Sequence, residues 1–207
     1  MEISAELWKA HLLNDYGTSA EITENLLVAC RIEEGKTYLQ TYNAENRLNG
    51  IGLVTGNCDD TGDLQKAWVF TYDGDGKKVK QTYTDASGTL TTYYYAGGSY
   101  EVQSDGTTQT VKQYYSIGGS TVAVREGSTF SYFLLDHLGS VVGVTDSSGA
   151  LIAETRYLPF GQVRTDVGMI PQTDYGYTFQ QNVDATGLTL LKARAGGLRC
   201  PILRFLS

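Results

Sequence analysis

A chain of 207 residues, 41% hydrophobic and 19% charged, can bury a real core and is too apolar for a disordered tail. Fifteen Tyr, 24 Gly and only three Pro favour strands joined by tight turns over a helical bundle, so the expected class is all-β, built of antiparallel hairpins. The net charge of -7 and pI near 4.8 argue against a nucleic acid partner, and the net +2 after residue 150, against -9 before it, reads as a solvated surface.

Residues 1–30 carry the weakest pattern. Ile3, Leu7, Trp8 and Leu12, then Ile22, Leu26, Leu27 and Cys30, fit a helical spacing, with Thr18 and Glu21 placed for a capping box, so short N-terminal helices are one reading. The other makes Asn25–Ile32 a strand that leads into the alternating pattern beginning at Gly35. The opening residues lack the basic-then-apolar order of a signal peptide, and no apolar run is long enough to cross a bilayer. Cys30, Cys58 and Cys200 are widely spaced with no C-x-x-C, which predicts free, partly buried thiols in place of a zinc site or disulfide framework.

From Gly35 the pattern changes. Tyr38, Gln40 and Tyr42 fall on one strand face and Leu39 and Thr41 on the other; Asn43–Asn46 turns, and Arg47-Leu48 begins a return strand. Phe70 to Val79 repeats the arrangement around Tyr72-Asp73 and Gly76, so Tyr42 and Tyr72 mark an internal period. The insertion between them clusters carboxylates at Asp59, Asp60 and Asp63. These lack the alternating spacing and distant Glu of a calcium loop, and turn chemistry accounts for them. No metal or cofactor is expected.

Residues 81–125 read as further hairpins, with strands over Thr89–Tyr95, Tyr100–Gln103, Thr108–Ser116 and Thr121–Arg125. Tyr93-Tyr94-Tyr95 must alternate faces, which places at least one ring in the core. Phe130 to Arg164 continues as strands parted by turns at Asp136–Ser140 and Asp146–Gly149, each with a Gly free to take positive φ.

Asp136-His137-Leu138-Gly139-Ser140 followed by Tyr157-Leu158-Pro159-Phe160-Gly161, after Tyr-Asp units, resembles the core segment of bacterial Rhs/YD-repeat proteins and the teneurin-like YD-shell. The usual repeat is Y-D-x-x-G-R-L; Asn43 stands for its Asp and Asn46 for its Gly. Gln172–Gln180 and Asp184–Leu188 resemble the closing elements, although Phe179 occupies a usual Gly, a costly exchange at positive φ. The resemblance implies YD-type repeats and hairpins over 31–125, a Rhs-associated core over 126–194 and, where its pattern stops, a divergent tail over 195–207 that is not a native strand of the shell. Its motif residues are Tyr42, Arg47, Tyr72, Asp73, Asp136, His137, Gly139, Tyr157, Pro159, Phe160, Gly161 and Gly187.

The resemblance further implies strands spiralling into a hollow shell that encloses or presents a C-terminal toxin or effector. Other YD repeats and that effector would be the partners, at a secreted or cell-surface location. An isolated piece of such a shell exposes strand edges and is expected to be marginal or to associate. Two other classes compete with this one. Asp136, His137 and Ser140 supply the residue types of a hydrolase triad, but neighbours on one tight turn rarely reach one another as a triad requires, and no G-x-S-x-G elbow is present. Self-cleavage, which some family members perform with paired acids, is not expected, since the last acidic residue is Asp184. A cell-surface or carbohydrate-binding module is the alternative, on the strength of Tyr93–Tyr95. No catalytic residue is assigned.

Overall fold

The computed structural model describes residues 27–33, 35–58, 61–95, 99–159, 161–164, 170–183, 186, 188–190 and 202–204. Helices expected within residues 1–26 lie outside this set. The strands are β1 (Leu27–Glu33), β2 (Lys36–Tyr42), β3 (Leu48–Gly56), β4 (Thr61–Tyr72), β5 (Lys78–Asp85), β6 (Gly88–Tyr95), β7 (Tyr100–Ser104), β8 (Gln109–Ile117), β9 (Ser120–Glu126), β10 (Thr129–Leu135), β11 (Val141–Thr145), β12 (Leu151–Glu154), β13 (Gln181–Val183), β14 (Leu188–Leu190) and β15 (Ile202–Arg204). One 3-10 turn, Tyr177–Phe179, precedes β13. Strand order is chain order from β1 to β12, and β13 to β15 form a second, three-stranded sheet. The all-β reading therefore holds, and β1 realises the strand alternative from Leu27 onward, Asn25 and Leu26 lying outside the described residues.

The chain parts into two compact units, one of residues 1–97 and 101–110, the other of 98–100 and 111–207. In the first unit β2 is covered on both faces, Thr37 to Thr41 all being buried. Leu39 and Val54 pack with Leu64, Ala67 and Val69 in one cluster, while Leu48, Ile51, Trp68 and Phe70 are also buried. Trp68 sits directly opposite Tyr83 on β5 with ring centroids 5.1 Å apart, a cross-strand pair worth about 0.2–1 kcal/mol. On β6 the alternation is plain: Tyr94 is 7% exposed, Tyr93 39% and Tyr95 50%. The second unit is organised around Tyr114, Val124, Phe133, Val141, Val144 and Tyr175. There the period-two pattern of β10 buries Ser131 and Phe133 and leaves Tyr132 and Leu134 exposed.

One expectation is corrected. Cys30 and Cys58 are joined in a disulfide, with Cα atoms 5.6 Å apart and 28 residues of separation, and are not free thiols. Local spacing could not reveal this pairing, because strand register and the return of the chain after β3 bring the two cysteines together. By loop-closure arithmetic such a link contributes roughly 3–4 kcal/mol. Within the divergent tail, residues 202–204 form β15, which lies outside the twelve-stranded sheet and pairs antiparallel with β14 through Leu188↔Arg204, Thr189↔Leu203 and Leu190↔Ile202. Loss of the Tyr-Asp pattern does not entail loss of strand, since Ile202-Leu203 keeps strand propensity without it.

Phe70 is fully buried. Phe70→Ala should lower the stability of the first unit by about 3–5 kcal/mol, seen as an earlier denaturant midpoint by Trp68 fluorescence.

Candidate functional site

One turn recurs throughout the chain. In six places among the described residues the N–H of the turn's first residue donates to the carbonyl of the fifth, and the N–H of the fourth donates back to the carbonyl of the first, all at 2.8–3.1 Å. The first residues are Asn43, Asp73, Asp136, Asp146, Leu158 and Gly176. The fourth always has positive φ: Asn46 (58°), Gly76 (79°), Gly139 (81°), Gly149 (83°), Gly161 (87°) and Phe179 (54°). Gly and Asn tolerate that region, which is the physical reason behind the D-x-x-G spacing. In four turns the first side chain completes the device. The Oδ1 atoms of Asn43, Asp73, Asp136 and Asp146 each accept the N–H groups of the third and fifth residues at 2.8–3.1 Å.

Phe179 keeps the turn that its bulk was expected to threaten. Thr178 is also left-handed, at φ 48°, and such positions cost of order 1–3 kcal/mol each. Packing offsets the cost: the Phe179 ring stacks on Tyr175 at 4.8 Å and meets Phe133 at 6.4 Å, while Thr178 N–H donates to Ser140 Oγ at 3.0 Å.

Tyrosines tie one turn to another. Tyr72, just before the Asp73 turn, donates its hydroxyl to the carbonyl of Leu48, just after the Asn43 turn, at 2.6 Å. Tyr157, before the Leu158 turn, donates likewise to Val141, just after the Asp136 turn, at 3.1 Å. Arg47 joins the first pair. Its guanidinium lies 5.9 Å from the Tyr72 ring, pairs with Glu45 at 2.6 Å, and covers Gly76, where a Cβ would come within 2.5 Å of its Nη2. Tyr42 is half-buried at the end of β2 in the place equivalent to Tyr72. Pro159 and Gly161 lie in the Leu158 turn, where the Pro159 carbonyl accepts the Tyr177 hydroxyl at 2.8 Å. Phe160 and Gly187 lie outside the described residues.

A cleft of about 420 Å³ is lined by residues of the Asp136 and Leu158 turns, with His137, Leu138, Arg156, Tyr157 and Tyr177 among its walls. Burial works to raise the pKa of Asp136, but the Ser140 amide and hydroxyl and the Leu138 amide, with His137 nearby, outweigh it and hold the carboxyl below its ordinary value. Burial, helped by the Asp136 charge, pushes Tyr157 up to about 12. Ser140 is fully buried, its Oγ taken by the Thr178 amide, and His137 is exposed. Asp136 and Ser140 thus hydrogen-bond each other and backbone amides, an arrangement that fixes a turn and does not activate a nucleophile. Among the described residues no group of three His, Cys, Asp or Glu is placed to hold a metal ion. Sequence reasoning misses Asp146, Gly149, Gly176 and Phe179 as copies of the turn; four-residue D-x-x-G spacing is the signal that could have found the first two.

Fold and recurrent turn define the class, an all-β fold of antiparallel strands in chain order that is shared with solved structures of TcdB2-TccC3. The solved structure of TcdB2-TccC3 matches with a TM-score of 0.59 at 20% identity, covering 75% of this chain and 8% of that one. TcdB2-TccC3 without its hypervariable C-terminal region matches at 0.55 and 16%, covering 83% and 10%. In sequence the chain is 26% identical over 169 residues to the tRNA3(Ser)-specific nuclease WapA of Bacillus spizizenii and 25% identical to the tRNA nuclease WapA of Bacillus subtilis strain 168. Those alignments cover 79% of this chain and 7% of each relative, so it spans less than a tenth of their length. No family model matches.

The shifts set a stability window. Asp136 and Asp146 have lowered pKa values, so their contribution is present above the ordinary carboxyl value near 4 and is lost as pH falls through the folded values. Tyr157 is raised to about 12, so its contribution is present below about 10 and is lost as pH rises through 12. Because Asn43 performs the same turn uncharged, Asp136→Asn should keep the fold, losing about 1 kcal/mol at pH 7 and much less at pH 3; Asp136→Ala should lose more. Thermal unfolding across pH measures this.

Proposed function

We propose that the chain is a non-enzymatic structural segment of a YD-repeat β-shell, which in the intact protein joins further YD units in a wall that encloses or presents a C-terminal toxin or effector. The observation that carries this reading is the recurrent turn with its tyrosine tie. The motif residues are engaged in building wall: Asp73 and Asp136 accept their own turn amides, Tyr72 and Tyr157 bind the residue following another turn, and Arg47 covers Gly76. The relatives are named as tRNA nucleases, but this chain aligns with only 7% of their length, and the reading assigns that chemistry to parts of them outside the match.

The test is incubation of the purified chain with total tRNA, and alone, from mildly acidic to neutral pH. The tRNA should stay intact by gel, and the protein should keep its full mass. Specific tRNA cleavage by a repurified sample, or a discrete C-terminal mass loss abolished by Asp184→Asn, would refute the non-enzymatic reading.

A further inference from the structure

In the second unit, one face of β8 to β12 carries side chains that wall-building does not use. On β10 the residues alternating with buried Ser131 and Phe133 are Phe130, Tyr132 and Leu134, which point outward. Register sets Tyr115 of β8 and Tyr132 on either side of Ala123 of β9, and Gln113 and Phe130 on either side of Arg125. Ala123 is only 4% exposed although it shares the outward face, so the flanking tyrosines lean over it, while they are themselves 39% and 42% exposed. The rings form one strip. The Phe130 centroid is 5.7 Å from that of Tyr115 and 6.2 Å from that of Tyr132, the last pair lying within 17° of parallel. Gly143 of β11, opposite Leu134, continues the flat surface: a Cβ there would stand 3.1 Å from Leu134 Cδ1 and 3.4 Å from Leu151 Cδ1, so both leucines settle over the glycine. Polar groups stand beside the rings. The Arg125 guanidinium lies 5.9 Å from the Phe130 centroid and donates from Nη2 to Gln113 Oε1 at 2.6 Å, and the same oxygen accepts the Tyr115 hydroxyl at 3.3 Å.

We infer that this face binds an uncharged polysaccharide, with Tyr115, Phe130 and Tyr132 stacked on pyranose rings and Arg125 and Gln113 bonded to their hydroxyls. The face of an aromatic ring carries partial negative charge and attracts the slightly positive C–H groups on the flat side of a pyranose. The hydroxyls at the sugar's rim need donors and acceptors. A guanidinium has several N–H donors, of which Gln113 takes one; because Gln113 Oε1 accepts twice, its Nε2 is left to donate, and the tyrosine oxygens can accept. A single cation beside the rings is too few to hold a polyanion, and a guanidinium and amide set among them suit hydroxyls better than an acyl layer. Tyr93 to Tyr95, the run that first suggests sugar binding, form no such strip, because Tyr94 is buried. The inference goes beyond the shell reading, since the face lies within one unit and calls on no further YD repeat.

The experiment is native affinity electrophoresis of the full chain in gels with and without hydroxyethylcellulose, glucomannan, xylan, galactan or dextran. Dextran sulfate gels and flotation with phosphatidylcholine vesicles run alongside. At least one uncharged polymer should retard the chain. Tyr115→Ala and Tyr132→Ala should each weaken that binding at least about fivefold, whereas Tyr132→Phe, which keeps the ring, and Tyr93→Ala should leave it unchanged. Retardation by none of the uncharged polymers, undiminished binding by Tyr115→Ala and Tyr132→Ala, or a loss in Tyr132→Phe equal to that in Tyr132→Ala would overturn the assignment. So would ring-dependent binding to dextran sulfate or the vesicles in place of the uncharged polymers.

Discussion

A side-chain oxygen that accepts two amides of its own turn, in a backbone whose fourth residue is left-handed, is the constraint on which the described fold rests. It reverses the chain in five residues while satisfying the N–H groups that a reversal would otherwise leave without partners. A fixed reversal also fixes register, because a slip of one residue would turn every buried side chain of the next strand outward. The alternation that buries Phe133 and exposes Tyr132 and Leu134 leads directly into the Asp136 turn.

Within each unit, a tyrosine ties one reversal to another. A hydrogen bond within a turn specifies that turn alone, whereas Tyr72 to Leu48 and Tyr157 to Val141 connect positions 24 and 16 residues apart. Each also delivers an aromatic ring to the layer between turns, which Arg47 uses on Tyr72 and Tyr177 uses on Tyr157 at 5.6 Å. At Tyr72 and Tyr157 one residue type before the turn thus contributes both packing and polarity.

Much of this was legible in the residues. Alternation and turn chemistry pointed to the all-β class, and Tyr72-Asp73 with Gly76 marked a true turn of the repeating kind. The equivalence of Asp136-His-Leu-Gly and Asp146-Ser-Ser-Gly was present as spacing but hidden by their different lettering. The Leu158 turn was harder to recognise, since Leu158 has no side-chain acceptor and the backbone pattern survives on Pro159 and Gly161 alone. The Cys30–Cys58 bond and the pairing of β15 were out of reach, because both depend on chain segments brought together by register and not on any local signal. The triad types at Asp136, His137 and Ser140 form no triad, for the adjacency that made them conspicuous is what lets Asp136 and Ser140 serve the turn.

Phe179 reverses the usual order of cause in such a fold. Where Gly76, Gly139 or Gly149 holds the fourth place, the turn is available to the bare backbone and can guide the strands that flank it. The Gly176 turn has no such local licence, since Thr178 and Phe179 are both L-residues held left-handed and neither chooses that conformation unaided. It exists because Tyr175, Phe133 and Ser140 already stand where they do. This corner of the molecule is consequently an indicator of tertiary structure: its geometry reports that the surrounding core is assembled, and it has no independent reason to persist when that core loosens.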